Sequence, residues 1–281
     1  MILLKEEKIS NMKIIITEGQ LKLITESENK KKLLNVPTDL FYSKWEPIIN
    51  NYRKKGFDGI KLKGDVNFYS IAFMDFNEIF EHIIEVHGNM DLRGSSIESL
   101  GNLESVNGYL DLGYCEKLVS LGNLKYVDGS LTLKNTNITT LDNLEYVGHY
   151  LQLSTTPIKD FNKLKYVGGY VNLWGVETFE TLGDLEEVGG FVKLSETNIK
   201  SLGKLKKVGE YLDVQNTDIR TLGDLEYVGG NLYISYCEKL NSFGELTYVG
   251  GGISMRGTPL AERMGESDVK RIINVKDAVF V

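Results

Sequence analysis

The sequence lacks several features by which a class of protein is usually recognised. It contains no apolar run near the roughly 18 residues that a membrane-spanning helix requires. Basic residues are not in excess, because 32 Lys and Arg stand against 39 Asp and Glu, for a formal net charge of −7. Proteins that bind nucleic acid usually carry a basic surface. We therefore expect neither a membrane nor a nucleic acid among the partners.

The first residues lack the apolar core of a secretory signal peptide. The opening is "MILLKEEKIS", and its fifth residue is already charged. We therefore expect the protein to remain in the cytoplasm of the cell that makes it. Met12 begins "MKIIITEGQ", which is typical of a second start, so we interpret residues 1–11 as a leader or a misassigned start.

The signatures of common enzymes and cofactor sites are also missing. No phosphate-binding loop, dinucleotide fingerprint or serine nucleophile motif occurs in the sequence. His82 and His87 are five residues apart on a predicted helix, which does not match the i, i+4 spacing of helical zinc ligands. We expect no metal, no cofactor and no enzymatic activity. The enzymatic alternative is a pocket in the N-terminal region that contains Glu81, His82 and Glu85.

Proline is rare, with four residues, whereas glycine is abundant, with 29, and regularly spaced. Alignment on the glycines gives a period of about 20 residues and the pattern G-x-L-x-L-x-x-T-x-I-x-x-L-G-x-L-x-x-V-G. A fixed period in this range predicts a solenoid, in which each repeat packs only on its neighbours. The repeats begin near Gly88, Gly108, Gly129, His149, Gly169, Gly190, Glu210, Gly230 and Gly251.

Each repeat can be translated into one coil of the solenoid. The L-x-L segment alternates, so it predicts a short strand with both leucines inward. The I-x-x-L and L-x-x-V spacings turn two further sides inward, and the Gly after Val supplies either a positive φ or space for the next strand. A hydroxyl after the strand can satisfy backbone groups where the chain turns. These hydroxyls are predicted at Ser96, Thr136, Thr156, Thr197, Thr217 and Thr258.

The phrase L-x-L-x-x-[T/C]-x-I resembles the leucine-rich repeat. "LESVNGYLDL" at 103–112 and "LEYVGGNLYI" at 225–234 are similar to the L-x-x-I-x-G-x-L-x-I phrase of receptor L domains. The resemblance covers roughly residues 88–260 and departs from standard leucine-rich repeats in having Val four residues before the strand Leu. It implies a binding scaffold that presents a sheet to a partner. We predict a mainly β fold, a right-handed leucine-rich-repeat-like β-solenoid of about nine 20-residue coils with a small α/β N-terminal cap.

The chain divides into three predicted parts: a leader and α/β cap at 1–87, the solenoid at 88–260 and a C-terminal cap at 261–281. Lids are expected because a solenoid otherwise exposes the apolar ends of its coils.

The elements of the two caps follow from local patterns. In the N-terminal cap we predict a strand at 13–17, a capping box at 17–20 that opens a helix to about Lys32, and a helix at 38–55 interrupted by Pro47. We also predict a strand at 59–64 and an amphipathic helix at 76–86. In the C-terminal cap we predict a short helix at 266–273 with Ser267 as its cap, followed by a strand near 277–281.

Charge alternates down the column of residues that follow the third-side Leu of each repeat. Adjacent coils lie about 4.8 Å apart, so opposite charges in a column form favourable pairs of about 0.2–1 kcal/mol each, whereas like charges repel. The alternation predicts control of register on a solvated face. The column consists of Glu104, Lys125, Glu145, Lys165, Glu186, Lys206, Glu226 and Thr247.

The two cysteines, Cys115 and Cys237, occur in identical "YCEKL" phrases six repeats apart. At about 4.8 Å per coil they are roughly 29 Å from each other, which is far beyond the reach of a disulfide. We predict two free, buried thiols, which are typical of a reducing compartment.

Aromatic residues recur at the outward position that opens each strand. This column runs Tyr109, Ser130, Tyr150, Tyr170, Phe191 and Tyr211. Rings on an exposed sheet often anchor a partner, and Trp174 is predicted two positions outward in the same strand as Tyr170. We predict a partner-binding site formed by Tyr150, Tyr170, Trp174, Phe191 and Tyr211.

The alternative interpretation is a self-stacking ladder that only stiffens the solenoid. A second column of rings shows that ladders are common in this chain, and it consists of Tyr126, Tyr146, Tyr166, Tyr227 and Tyr248.

These observations favour a non-enzymatic scaffold that binds a protein partner through the aromatic-bearing face. The alternative is a structural or virion-associated solenoid with no discrete ligand site. The segment "MKIIITEGQLKLI" is similar to the starts of many small proteins encoded by tailed bacteriophages, especially marine ones. This resemblance implies a phage protein that acts in the host cytoplasm or in the virion, on a host or virion protein.

Overall fold

Two parallel β-sheets run side by side along the chain in the computed structural model, which describes residues 31–67, 76–174 and 176–281. Successive strands of each sheet are about one repeat apart in sequence, so the chain winds as a solenoid with the predicted period of about 20 residues. The prediction of a mainly β solenoid of about nine coils is confirmed.

Sheet A contains twelve strands within the described residues, and neighbouring strands pair in parallel. In order across the sheet they are Leu33–Pro37, Gly59–Lys63, Ile83–His87, Ser105–Val106, Tyr126–Val127, Tyr146–Val147, Tyr166–Val167, Glu187–Val188, Lys207–Val208, Tyr227–Val228, Tyr248–Val249 and Asn274–Val275.

Sheet B contains eleven strands within the same residues, also paired in parallel. They are Val66–Asn67, Met90–Asp91, Leu110–Asp111, Leu131–Thr132, Leu151–Gln152, Val171–Asn172, Val192–Lys193, Leu212–Asp213, Leu232–Tyr233, Ile253–Ser254 and Val279–Phe280.

The core is a stack of apolar side chains that point into each coil. Every full coil contributes inward residues from sheet A, from sheet B and from a third side where the chain turns without regular strands. Stacking buries each such residue between its counterparts in the coils above and below, which is the main stabilising contribution. In one coil the fully buried set is Leu131, Leu133, Ile138, Leu141, Leu144 and Val147.

Buried hydroxyls satisfy the backbone at the turn after sheet B, as predicted. The threonine at this position donates a hydrogen bond of 2.7–2.8 Å to the carbonyl three residues earlier in five coils. The prediction was wrong at Ser96, which is exposed, because Ser95 holds the buried position. The error is one of alignment: "RGSS" offers two serines, and the spacing from Leu92 selects the first.

Glycines occur in two kinds of position that require glycine for different reasons. Gly223 lies on the third side with φ of +60°, the left-handed region that favours glycine. Gly209, after the strand of sheet A, is needed for space instead, because an added Cβ would overlap the carbonyl oxygen of Gly189 in the preceding coil. Of the two roles predicted for the glycine after Val, the structure shows the second.

The N-terminal part continues both sheets and adds helices. Helix α1 spans Thr38–Tyr52 and is followed by a short 3-10 helix at Arg53–Lys55. The predicted interruption of α1 lies at Lys44, which has non-helical φ and ψ, three residues before Pro47. Proline lacks the N–H of a helical turn and its ring crowds the preceding turn, so the distortion falls on its N-terminal side.

The helix predicted at 76–86 was wrong over most of its length. Helix α2 covers only Phe76–Phe80, and Ile83–His87 is a strand of sheet A. This strand pairs with Gly59–Lys63 on one side and Ser105–Val106 on the other. Its β-branched residues favour a strand, and two available neighbours outweigh a helical spacing of apolar residues.

Two short helices occur in the C-terminal part. Helix α3 spans Pro259–Arg263, and the Thr258 hydroxyl accepts a hydrogen bond from the N–H of Ala261. Helix α4 spans Glu266–Ile272 as predicted, but its N-cap is Gly265 and not Ser267. The strand predicted near 277–281 is confirmed at Val279–Phe280.

Some predictions lie outside the described residues or stay predictions. The leader at 1–11, the strand at 13–17, the capping box at 17–20 and most of the helix predicted to run to about Lys32 lie outside them, and the described residues Lys31 and Lys32 are not helical. The division into parts at 87/88 and 260/261 also stays a prediction, and sheet A continues across the first of these points.

Every third coil contains one extra residue. The interval between equivalent inward residues is 21 for Leu112 to Leu133, for Leu173 to Leu194 and for Ile234 to Met255. In these coils the extra residue forms an additional turn, in which the N–H of Leu118, Phe179 or Leu240 donates to the carbonyl three residues earlier, at 3.0–3.3 Å. The coils therefore form blocks of three with a period of 61 residues.

Candidate binding surface

Four of the five predicted site residues form a continuous stack of rings along sheet B. Tyr150, Tyr170, Phe191 and Tyr211 each immediately precede a strand, and the register of the strands aligns them. Consecutive ring centroids are 5.0, 4.7 and 4.7 Å apart, with interplanar angles of 10°, 2° and 3°. We call these four residues the sheet B ladder.

Stacking determines which parts of these rings face solvent. All four rings are half-buried, because each inner ring is covered on both faces by its neighbours. Burial raises the pKa of Tyr170, with a further contribution from Tyr150. Burial, followed by the nearby Asp213 and Glu210 carboxylates, raises the pKa of Tyr211. The sheet B ladder therefore presents ring edges to a partner, not flat ring faces.

Trp174 is the predicted site residue that the structure places apart from the ladder. It lies two residues beyond the end of the strand Val171–Asn172, so its placement within that strand was wrong. The Asn172 side chain accepts a hydrogen bond from the Trp174 N–H at 3.0 Å and turns the chain. The side chain is 55% exposed, and no ring among the described residues stacks on it.

Polar side chains form the outward column beside the sheet B ladder. Gln152, Asn172 and Lys193 point outward from successive strands and are half-buried. Further along the same column, Tyr233 packs edge-on against Tyr211, with ring centroids 6.0 Å apart. The ladder thus has polar neighbours that can donate and accept hydrogen bonds at the surface.

A second ladder lies on sheet A, as the sequence predicts. Tyr146 stacks on Tyr166 at 5.2 Å, and Tyr227 stacks on Tyr248 at 4.8 Å. Two coils between these pairs carry charged residues instead of rings. Glu187 and Lys207 form a 2.9 Å ion pair there, so two paired side chains occupy the positions where the column has no ring.

The alternating charge column forms ion pairs between adjacent coils, as predicted, whereas its role in controlling register stays a prediction. Lys125 pairs with Glu104 at 3.6 Å, and Lys165 pairs with Glu145 at 3.4 Å. The backbone also links successive members, since the N–H of Lys165 donates to the carbonyl of Glu145. Further pairs join Lys206 to Glu186 at 3.8 Å and Lys204 to Asp184 at 2.8 Å.

Two tyrosines that are more than half exposed were missing from the predicted site. Tyr114 and Tyr236 are 53% and 51% exposed and have φ of 62° and 60°. A bulky side chain in the left-handed region is unfavourable, by about 1–2 kcal/mol, and little burial offsets that cost. Both tyrosines lie in 21-residue coils, as does Trp174. The repeated "YCEKL" phrase was the available signal, but it was interpreted only for its cysteines.

The residues of the enzymatic alternative are engaged in separate contacts. Nδ1 of His82 shares a 3.1 Å hydrogen bond with the Tyr52 hydroxyl, which accepts one from Arg53. Burial and then the Arg53 charge lower the pKa of His82. Glu85 pairs with Lys61 at 2.6 Å.

A groove in the N-terminal part does not involve these residues. It has a volume of about 390 Å³ and lies along α1, and neither Glu81, His82 nor Glu85 lines it. Within the described ranges, no group of three or more His, Cys, Asp or Glu side chains could hold a metal ion.

Both cysteines are buried free thiols, as predicted. Cys115 donates to the carbonyl of Leu92 and Cys237 to the carbonyl of Val214, each at 3.0 Å. Burial raises the pKa of both thiols, so they stay protonated and can donate. They occupy the position of the buried threonines of other coils, but they donate to a carbonyl of the preceding coil instead of the carbonyl three residues earlier.

Comparison of the chain with protein-family models, with curated proteins and with solved structures gives no match. Among the helices in the described part of the chain, none is both long and apolar enough to cross a membrane.

Proposed function

We propose that the solenoid is a non-enzymatic scaffold that binds a protein partner through sheet B, at the sheet B ladder and Trp174. The coils provide a rigid, repetitive support, and the outward side chains supply rings flanked by amide and ammonium groups. Aromatic residues surrounded by polar groups are the usual centre of a protein–protein interface.

The exposure of Trp174 is the observation that carries this proposal. More than half of Trp174 is exposed, in a chain whose repeats place most of their apolar residues inward. Exposed in this way, the ring contributes little to the stability of the fold, whereas burying it against a partner would remove a large apolar surface from water.

Affinity capture from lysate, followed by titration with the purified captured protein, tests the proposal. We expect Trp174→Ala to weaken binding by about 2 kcal/mol or more while leaving the thermal unfolding transition unchanged, because a truncated anchor loses its contacts only in the complex. In the same assay, Tyr170→Ala tests whether the ring edges of the sheet B ladder contribute to binding.

Tyr166→Ala is the matched control because it removes a stacked ring of similar size from sheet A. It should leave the affinity unchanged. A partner that tolerates Trp174→Ala and Tyr170→Ala but is lost with Tyr166→Ala would show that the wrong face has been chosen.

Ring stacking within the sheet B ladder favours a second candidate, a structural solenoid without a discrete ligand site. Four rings that cover one another's faces stiffen the coil stack and leave only edges free. Light scattering coupled to size-exclusion chromatography separates the candidates, since a defined assembly of identical chains supports the structural function and a monomer supports the scaffold.

We also propose that the chain is a leucine-rich repeat protein of the receptor L-domain type, encoded by a phage and located in the host cytoplasm or virion. The strand phrase and the buried Thr or Cys after it support the repeat type. The phage origin rests on the segment at 12–24 alone.

A further inference from the structure

The column of rings on sheet B contains a gap at Ser130. The coils on either side carry Tyr109 and Tyr150 at the same position. The three residues are in register, because the N–H of Leu110 donates to the carbonyl of Ser130 at 2.8 Å and that of Leu131 to the carbonyl of Tyr150 at 2.9 Å. Ser130 is thus the floor of a slot between two tyrosines, which we call the Ser130 slot.

The Ser130 slot has the width that one planar group needs. Consecutive ring centroids in the sheet B ladder are 4.7–5.0 Å apart. Tyr109 and Tyr150 are two coil steps apart, which corresponds to roughly 10 Å between their rings. A planar group midway between them would lie about 5 Å from each ring, within the range of aromatic stacking distances.

Both walls of the slot have an uncovered face. Tyr150 stacks on Tyr170 at 5.0 Å, so one face of its ring is covered and the other is directed toward the slot. Tyr109 is 42% exposed, more than any ring of the sheet B ladder, and no described ring stacks on it. The two rings therefore offer faces for stacking, unlike the inner rings of the ladder.

The surroundings of Tyr109 are negatively charged. The carboxylates of Asp65, Asp91 and Asp111 all act on its hydroxyl, and Arg93 is the one cation that opposes them in this group. Arg93 is already paired with Asp91 at 2.6 Å and lies 3.5 Å from Asp111. Asp65 and Asp91 belong to coils that precede Tyr109 along sheet B, on the side away from Ser130, whereas Asp111 lies in the coil of Tyr109 itself, next to the coil of Ser130. Asp111 is therefore the carboxylate that borders the slot, and because Arg93 pairs more closely with Asp91, it would attract a second cation.

We propose that the Ser130 slot binds the guanidinium group of an arginine side chain from the protein partner. A guanidinium is planar and cationic, so it can stack between Tyr109 and Tyr150 while its N–H groups face Asp111. A lysine ammonium matches the charge but has no plane to stack, and a neutral ring matches the shape but gains nothing from the carboxylates.

The inference deepens the proposed function, because it names the chemistry of the partner at one end of the same face. It can nevertheless be tested without the partner. Three capped tripeptides, Gly-Arg-Gly, Gly-Lys-Gly and Gly-Trp-Gly, are titrated into the full chain and followed by NMR of the peptide. We expect the arginine peptide to bind with a Kd of the order of 1–10 mM and its side-chain methylene protons to shift upfield, as stacking on rings requires.

Two variants of the slot floor provide a matched pair. Ser130→Tyr fills the slot with a ring of the protein itself, so binding of the arginine peptide should fall at least about tenfold while the fold gains one more stacked ring. Ser130→Ala leaves the slot open and should bind as the wild type does. Tyr109→Ala removes one wall, at an exposed position, and should also weaken binding at least about fivefold.

The outcomes decide between the slot and the wider function. Arginine-specific binding that is lost in Ser130→Tyr and kept in Ser130→Ala supports the proposal. Equal binding of the lysine peptide, preferred binding of the tryptophan peptide, or no binding of the arginine peptide to the wild type overturns it. If the binding of a captured protein is still weakened by Trp174→Ala after such a result, the proposed arginine site is wrong and the scaffold function stands.

Discussion

The ring columns of the two sheets are interrupted in different ways. On sheet A, the two coils between the stacked tyrosine pairs carry Glu187 and Lys207, which pair with each other at 2.9 Å. On sheet B, the single coil between Tyr109 and Tyr150 carries Ser130, whose side chain is too small to reach either ring. An interruption filled by the protein's own ion pair maintains the stack, whereas one left open leaves ring faces for another molecule. In a solenoid, the free ring faces of exposed aromatic residues, and not the number of these residues, therefore determine what another molecule can stack on.

The ring columns of both sheets lie on the same stacked apolar core. A substitution that disrupts this core should lower stability more than any other. Leu153→Asp places an unpaired charge among fully buried side chains, so we expect a loss of about 4 kcal/mol or more and unfolding of several coils. Gln152→Asp is the control, because the adjacent side chain points outward. Thermal unfolding followed by circular dichroism compares the two, and an unchanged transition in Leu153→Asp would show that the residue is not part of the core.

Adjacent coils approach each other closely at glycines that follow strands of sheet A, and a substitution there should have the next largest effect on stability. Gly209→Ala places a methyl group against the backbone of the preceding coil, and we expect a loss of about 3 kcal/mol because backbone cannot move aside as a side chain can. Gly223→Ala should cost about 1 kcal/mol, since it meets only an unfavourable φ with open space around it. Equal losses in urea unfolding would mean that coil spacing is not tight at Gly209.

Disruption of the ion pair between Glu187 and Lys207 on sheet A should have a smaller, salt-dependent effect on stability. Lys207→Glu would place a second carboxylate beside Glu187, at an expected cost of about 1 kcal/mol that shrinks at high ionic strength. Lys207→Gln only removes the attraction and should cost less. If the loss in Lys207→Glu is several kcal/mol and does not respond to salt, the pair has a buried structural role.

Substitution of Asp111, whose carboxylate borders the Ser130 slot, has the smallest expected effect on stability. Burial raises the pKa of Asp111 despite the opposing hydrogen bond from the Gly113 N–H and the Arg93 charge. A raised pKa in the folded state means that protonated Asp111 favours folding at low pH and that this contribution is lost as the pH rises through the folded pKa.

Asp111→Asn keeps an acceptor for the Gly113 N–H but cannot ionise. Its stability relative to the wild type should therefore increase by a few tenths of a kcal/mol between about pH 3 and pH 7, measured by thermal unfolding. A relative stability that falls over this range would show that Asp111 is stabilised as a carboxylate.

The sequence was sufficient for the architecture because the repeat specifies the same contact many times. The Leu and Val spacing indicates which side chains point inward, and the alternation of Glu145 and Lys165 is consistent with successive repeats that stack on one another. The segment Ile83–His87 was mistaken for a helix because its apolar spacing fits both periodicities, and only its pairing with the neighbouring strands decides between them.

The candidate site was less predictable than the fold. The column of Tyr150, Tyr170, Phe191 and Tyr211 is visible in the sequence, but whether such rings stack or project depends on side-chain rotamers. Trp174 was expected in line with Tyr170, and the hydrogen bond from its N–H to Asn172 turns the chain before it. At Ser130 no ring stands between Tyr109 and Tyr150. That this space fits one planar group can be recognised only once the distance between stacked rings is known.

The block of three coils also has a consequence for how the length of the protein can change. Each coil contacts only the coils before and after it, so removing or duplicating 61 residues leaves every remaining coil with neighbours of the length it already has. Removing one coil alone would bring two 21-residue coils closer together and place their additional turns against different neighbours. Duplication and deletion in steps of three coils therefore preserve the order of coil lengths, but because three is odd they bring like charges together in the column that contains Glu145 and Lys165.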